Sequence, residues 1–505
     1  MQRAYDWGTP IELLTPEEMA RADLLAIGGV DGGGYRLMCN AGLAVGREPV
    51  TRYPQATAFD VLCGPGNNGG DGYVVARLLH EWGSLVRVWT DGAPRAATDA
   101  ALAAADCPVT VAPLADFVPS PGAVVVDALY GAGLTRALDG AALQAARACN
   151  AAGCTVVSVD LPSGVSGASG VSLGDAFAAL LTVTFFRRKP GHMLEPGRRL
   201  CGETIVADIG IEGGVLDVVK PLAFVNSPLS WRHSFPRPDP DQHKYSRGHV
   251  AVFSGGMIST GAARLAAMAA ARIGAGAVTI YSPAAAIATN AAHLTSIMLR
   301  KIDDASELRA ALAARAPDAF VLGPGFGLGR PVRETVLSLL RGTQKGVLVL
   351  DADGLSAFRD EPEGLFEDAR RSRMGLVLTP HEGEFARLFP DLACSDTLSK
   401  LDKAREAANR AGSVVVYKGP DTVIAAPDGR AAINANGSPY LATAGSGDVL
   451  AGMIAGLCAQ NMPAFDAACV AVWIHAEAAL RFGPGLIAED LPGMLPPLLG
   501  ELLAD

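Results

Sequence analysis

The stretch Ala58-Phe59-Asp60-Val61-Leu62-Cys63-Gly64-Pro65-Gly66-Asn67-Asn68-Gly69-Gly70-Asp71-Gly72 decides the fold of this chain. It runs from an apolar segment into a glycine-rich loop and then into a helical pattern at residues 73–82. A continuous apolar run, rather than an alternating one, marks a strand buried on both faces. Glycines let the backbone turn tightly and come close to a ligand, and the bare N–H groups of the following helix N-terminus favour an anion. The alternative is an ordinary strand-to-helix turn. Two adjacent asparagines among five glycines weigh against it, because buried amides need partners.

The same grammar recurs outward in both directions. Apolar runs at 58–62, 85–89, 123–127, 155–160, 181–186 and 204–207 alternate with helical patterns such as 141–150. A second series lies at 249–254, 278–281, 319–322, 347–351, 376–379 and 414–417, closed by two long helices at 449–459 and 464–482. Alternating strands and helices predict parallel sheets covered by helices, hence an α/β fold. At 505 residues the chain is long enough for two domains of ordinary size. Residues 221–242 hold Pro221, Pro228, Pro236, Pro238 and Pro240 and read as an extended linker. The expected division is residues 1–222, a linker over 223–239, and residues 240–505.

Composition excludes several classes. Only 19% of residues are charged and 50% are apolar, so the chain is not disordered. Its net charge of -10 argues against a nucleic-acid or anionic-membrane binder. No stretch reaches the roughly 20 apolar residues that cross a bilayer, and no signal peptide is visible. Nine cysteines without a Cys-x-x-Cys pair suit buried thiols in a reducing compartment better than zinc or disulfides. A soluble, cytoplasmic protein is expected.

Three strand ends in the first half carry oxygen-bearing residues. They are the loop with Asn67 and Asn68, Asp127 before Ala128-Leu129-Tyr130-Gly131-Ala132-Gly133-Leu134, and Asp160 before Leu161-Pro162-Ser163-Gly164. In a parallel sheet the carboxyl ends of neighbouring strands form the ligand crevice, so Asn68, Asp127, Asp160 and Ser163 are placed to converge. Oxygen-only donors suit a hard cation and not zinc or iron. A lone Asp at a strand end is usually a cap or turn residue; three such loops together favour function. These segments, with Asn40-Ala41-Gly42, resemble the motifs of NAD(P)H-hydrate epimerase domains over about residues 12–215. The resemblance implies a Rossmann-like three-layer sandwich with a potassium ion on Asn68, Asp127 and Ser163. It assigns hydrate binding to Asn67, Asn68, Gly69, Gly70 and Asp71, and to Gly131, Ala132, Gly133, Leu134, Thr135, Arg136 and Ala137. Asp160 becomes the acid/base at the nicotinamide. The chain departs from that pattern at Cys39, Tyr130 and Ala132.

In the second half, Thr443-Ala444-Gly445-Ser446-Gly447-Asp448 runs straight into a helix. Glycines at a helix N-terminus present N–H groups and a positive dipole end to a phosphate. Asp448 there either caps the helix or takes a proton from a hydroxyl being phosphorylated. This turn is similar to the anion hole of ribokinase-like phosphotransferases, and no P-loop motif is present. Further segments resemble ADP/ATP-dependent NAD(P)H-hydrate dehydratases over roughly 240–500. They include Ser254-Gly255-Gly256, Gly323-Pro324-Gly325-Phe326-Gly327, Asp351-Ala352-Asp353 and Thr379-Pro380-His381-Glu382-Gly383-Glu384. Departures are Tyr245 and Ala444. The resemblance implies that Ala262, Gly325, Gly327, His381 and Asp448 contact the hydrate. Lys418, Gly419, Pro420, Asp421, Thr422 and Gly447 would hold ADP or ATP with Mg2+, which Glu384 would help organise. Asp448 would be the base. One bifunctional repair enzyme results, and a homo-oligomer is expected. The rival readings are a ribokinase-like small-molecule kinase with a degenerate N-terminal half, and a non-catalytic nucleotide sensor.

Overall fold

A computed structural model describes residues 10–28, 32–241 and 243–504. The chain forms two compact units that meet in sequence between Phe224 and Val225.

The first unit contains β1 (Glu12–Leu13), β2 (Phe59–Cys63), β3 (Val86–Thr90), β4 (Val111–Pro113), β5 (Val124–Ala128), β6 (Thr155–Val159), β7 (Leu181–Phe185) and β8 (Glu203–Ala207). Seven of these strands form one sheet in the order β4-β3-β2-β5-β6-β7-β8. Every pair in it is parallel. Strand order reverses between β2 and β5, which opens a crevice at their carboxyl ends. The runs read as buried are buried: β2, β5 and β7 expose no residue on either face. The helix after the glycine loop begins at Asn67, inside the loop, so the sequence reading at Tyr73 starts it late.

The second unit contains β10 (His249–Phe253), β11 (Ala277–Ser282), β12 (Met298–Lys301), β13 (Ala319–Leu322), β14 (Gly346–Leu350), β15 (Met374–Leu378), β16 (Val414–Tyr417), β17 (Val423–Ala425) and β18 (Ala431–Asn434), after the boundary strand β9 (Ala223–Asn226). Their order is β18-β17-β16-β15-β14-β13-β10-β11-β12. The strands from β16 to β12 pair in parallel, and β16-β17-β18 is an antiparallel extension. The helix Ser446–Ala459 is buried almost throughout and packs between the sheet and the helix Gly261–Arg272.

The proline-rich stretch differs from the expected linker. Ala223–Asn226 is a strand and Pro228–Trp231 a helical turn with Ser227 as its cap. Trp231 is only 1% exposed and meets Trp473 edge-on at 5.9 Å. Asn226 donates from Nδ2 to Asn434 Oδ1 and to the Cys469 carbonyl. Pro228 does not oppose this, because a first-turn proline gives up no hydrogen bond. Residues 235–241 carry no regular element, and Gln242 lies outside the described residues.

Candidate active sites

At the β2/β5 reversal lies a cavity of about 620 Å3. Of the residues singled out from the sequence, Asn67, Asn68, Asp71, Asp160 and residues 131–136 line it and Gly69, Gly70 and Ala137 do not; Tyr130 lines it as well. Asp127, at the end of β5, is fully buried beneath it. Its Oδ1 accepts from Ser163 Oγ at 2.6 Å, and its Oδ2 accepts from Ser163 N at 2.7 Å and Ser158 Oγ at 3.0 Å. Burial pushes this carboxyl up, and those donors pull it back. The Ser163 hydroxyl also lies 3.1 Å from the Tyr130 carbonyl. Asp127 and Ser163 are thus brought together with a third oxygen beside them. Asn68 does not bond to either; its Nδ2 is buried without a partner. Its Oδ1 points at Gly131, where a Cβ would sit 3.0 Å from both Asn68 Oδ1 and Asp160 Oδ2, so only glycine leaves that approach open.

Asp160 follows β6 with φ at +63°, a left-handed backbone that Asp tolerates better than most residues. Its carboxylate takes three donors, which leaves one of its roughly four acceptor positions open. Lys189 Nζ donates to Oδ1 at 2.6 Å, Thr184 Oγ1 donates to Oδ1 at 2.9 Å, and Ala132 N donates to Oδ2 at 2.9 Å. Burial raises the carboxyl's pKa, but the Lys189 ammonium and these bonds outweigh it and hold it at about 2. His192 accepts from Lys189 N at Nδ1, so its Nε2 proton is donated to the Asp160 carbonyl at 2.7 Å. Burial and the neighbouring ammonium push His192 down to about 4, which keeps it neutral.

Lys189, Thr184 and His192 were absent from the sequence reading. Arg187-Arg188-Lys189 looks like a solvated basic run, and nothing in its spacing shows that Lys189 turns inward to 2% exposure. Asp23, on the helix Pro16–Ile27, also lines the cavity and was not singled out.

In the second unit, Gly445 opens the helix Ser446–Ala459 with φ at +90°, a conformation suited to glycine. The helix has no side-chain cap. Asp448 therefore sits in the first turn without capping it, and its carboxylate has no hydrogen-bond donor among the described residues. Burial first, then the Asp351 carboxylate, push its pKa to about 7 against the pull of Lys418. Asp351 is 2% exposed and accepts from Thr379 Oγ1 at 2.7 Å and from Lys418 Nζ at 2.9 Å. Lys418 stays charged: burial lowers its pKa, but Asp351 and Glu384 raise it further. A Cβ at Gly447 would sit 3.4 Å from Lys418 Nζ, so this ammonium borders the glycine turn.

Gly325 reaches Ala262, 3.4 Å from where its Cβ would be, and Gly327 N donates to Asp353 Oδ2 at 2.9 Å. His381 caps the helix Glu382–Leu388. Its Nδ1 accepts from Gly383 N and Glu384 N, while His381 N donates to Glu384 Oε2 at 2.9 Å. Its Nε2 edge is left toward solvent, 3.5 Å from Glu384 Oε1. Gly419 and Thr422 close a turn through the Thr422 hydroxyl, and Asp421 is held by Lys400 Nζ at 2.6 Å. A cavity of about 410 Å3 opens where strand order reverses between β10 and β13, lined by Phe253, Gly255, Gly256 and Phe326. Among the described residues no cluster of three His, Cys, Asp or Glu side chains is arranged to hold a metal, and no helix is long and apolar enough to cross a membrane.

Two family models match the chain. Residues 34–191 match the YjeF-related protein N-terminus, and residues 250–503 match NAD(P)H-hydrate dehydratase. A protein of Coxiella burnetii named bifunctional NAD(P)H-hydrate repair enzyme Nnr is 35% identical over 474 residues, covering 90% of this chain and 93% of that one. The Escherichia coli protein of the same name is 32% identical, covering 93% of this chain and 90% of that one. A solved ADP/ATP-dependent NAD(P)H-hydrate dehydratase of Bacillus subtilis, co-crystallised with ATP/Mg2+, is 28% identical. It covers 55% of this chain and 98% of that one with a TM-score of 0.47. With matches of this extent across both units, the chain belongs to the family of bifunctional NAD(P)H-hydrate repair enzymes.

Proposed function

We propose that the first unit interconverts the R and S hydrates of NADH and NADPH, and that the second dehydrates the S hydrate with ADP or ATP. The observation that carries the reading is Asp448: an undonated carboxyl at about 7, in the first turn of a helix whose N-terminus has no side-chain cap and so suits a phosphate. The damaged ring bears a hydroxyl on C6. Ionised Asp448 takes the hydroxyl proton as the oxygen accepts the phosphoryl group. Phosphate then leaves C6 with the C6–O electron pair, C5 loses a proton, and the C5–C6 double bond of the reduced cofactor is restored. Lys418 and the Gly445–Gly447 turn neutralise charge on the phosphoryl oxygens. Mg2+ bound with the nucleotide would lower the charge repulsion at its phosphates, and Glu384 would help to organise it.

In the first unit, Asp127, Ser163 and Asn68 supply only oxygen donors, and an orphaned amide nitrogen at Asn68 fits a site whose other face is meant for a ligand. These three would hold K+, which supplies fixed positive charge near the hydrate's phosphates. Asp160 would act on the ring as a base that stays ionised. Asn67 and the 131–136 loop would hold the dinucleotide. Nine unpaired cysteines are in keeping with a reducing, cytoplasmic setting.

The test is recovery of the reduced-nicotinamide absorbance from mixed hydrates plus ATP or ADP. Full recovery from an R/S mixture is expected. Recovery only of the S fraction overturns the epimerase half, and a phosphorylated product without recovery overturns the dehydratase half.

A further inference from the structure

The helix Pro16–Ile27 lays one face on the cavity of the first unit. Pro16, Met19, Ala20, Asp23 and Ile27 are the cavity-lining residues of that helix, spaced as one stripe along it. Four are apolar, and Asp23 is the one ionisable side chain among them. The helix start is fixed: Thr15 Oγ1 accepts from Glu18 N, Thr15 N donates to Glu18 Oε2, and Leu13 and Leu14 before it are fully buried. Asp23 is therefore positioned by structure and not by a mobile arm.

The carboxylates lining this cavity differ in their donors. Asp160 receives three, from Lys189, Thr184 and Ala132. Asp99 sits in the first turn of its own helix, where the dipole favours charge. Asp71 lies inside the helix Asn67–Glu81 and has no donor among the described residues. Asp23 has none either, on an apolar wall that suits a flat ring.

We propose that Asp23 is a second catalytic residue of epimerisation, acting as the proton donor to the C6 oxygen while Asp160 acts as the base. This rests on the reading of the first unit as an epimerase. C6 is a hemiaminal carbon, bonded to the ring nitrogen and to hydroxyl. Asp23 gives its proton to that oxygen, the C6–O bond breaks, and water leaves with the electron pair. The ring-nitrogen lone pair fills C6, making it planar. Water adds to the other face and its proton passes to Asp160. Nothing is oxidised or reduced, and the protons return through solvent. The two carboxyls line the same cavity from different elements, one on the helix and one after β6, close enough that Asp160 and Lys189 both act electrostatically on Asp23. Their environments divide the roles: burial lifts Asp23 to about 6 against the pull of Lys189, whereas Asp160 is held ionised.

The experiment uses the full chain with separated R and S hydrates. Asp23→Asn should lower kcat for epimerisation about 100–1000-fold, with KM changed less than about threefold. S-hydrate dehydration by the same variant should be unchanged. Asp23→Ala should regain rate on addition of acetic acid, which a packing role would not permit. Normal epimerisation by Asp23→Asn, or loss without acetate rescue in a folded Asp23→Ala protein, overturns the assignment. If the unaltered chain does not epimerise at all, the epimerase reading itself is overturned, and this role with it.

Discussion

Replacing Asp448 by Asn separates charge from shape at the dehydratase centre. Asn fills the same volume but neither ionises nor accepts a proton at neutral pH. The aspartyl group ionises at about 7 in the folded protein against an ordinary value of 3.8. At 1.36 kcal/mol per pKa unit, its ionised form costs the fold about 4 kcal/mol, and solvent reaching the partly open site reduces that to roughly 2–3 kcal/mol. The sign follows from the raised value. Below pH 3.8 the group is protonated in both states and there is no penalty. The penalty grows as pH rises and is complete above about 7. Asp448→Asn should therefore be more stable than the unaltered protein, increasingly so from pH 5 to pH 8, in chemical denaturation. Dehydration should fall about 10²–10⁴-fold. Nucleotide affinity should hardly change, because the phosphate is received by backbone N–H groups. In the unaltered enzyme, kcat/KM for dehydration should rise with pH through about 7, and that limb should vanish in the variant. Near-full dehydration by Asp448→Asn, or a stability gain that does not grow with pH, would refute the argument.

Three further outcomes are expected. Potassium should accelerate epimer exchange and Asp127→Ala should abolish the response, as read by rates across a potassium titration against sodium; indifference to the cation removes the assignment. Lys189→Met should release Asp160 toward the ordinary carboxylate range and impose a new acid limb, within a few pH units of neutrality, on the epimerisation pH profile. A piece spanning residues 225–505 should be folded and active on the S hydrate. One starting at residue 240 should be less stable by about 3–5 kcal/mol, because it lacks Trp231 and its contact with Trp473; equal denaturant midpoints would contradict this.

Much of the fold was legible because buried parallel strands announce themselves as unbroken apolar runs. Residues 123–127 and 155–160, for example, become β5 and β6 to within one residue. What escaped were elements whose sequence carries no such contrast. The antiparallel pair Val423–Ala425 and Ala431–Asn434 is too short for a period to emerge. The strand Ala223–Asn226 was hidden by neighbouring prolines. At the sites, glycine turns and their aspartates were visible because local backbone chemistry writes them into consecutive residues. Lys189 and Asp23 were not, because their function depends on direction. A lysine in a basic run and an aspartate in the middle of an amphipathic helix look solvated until the chain folds them toward the cavity.

The left-handed backbone at Asp160 narrows what the position can become. At a φ of +63° most side chains crowd the adjoining carbonyl, at a cost of roughly 1–2 kcal/mol, while glycine, asparagine and aspartate bear it with least strain. Substitution to Ala or Leu would thus alter chemistry and geometry together and displace the Ala132 amide that leans on Oδ2. Random change at this codon is filtered twice, first by conformation and then by proton affinity. Asparagine alone passes the first filter with nearly the same shape and fails the second, and its NH2 must then face either the Lys189 ammonium or the Ala132 amide, so its defect combines lost proton affinity with one mismatched donor.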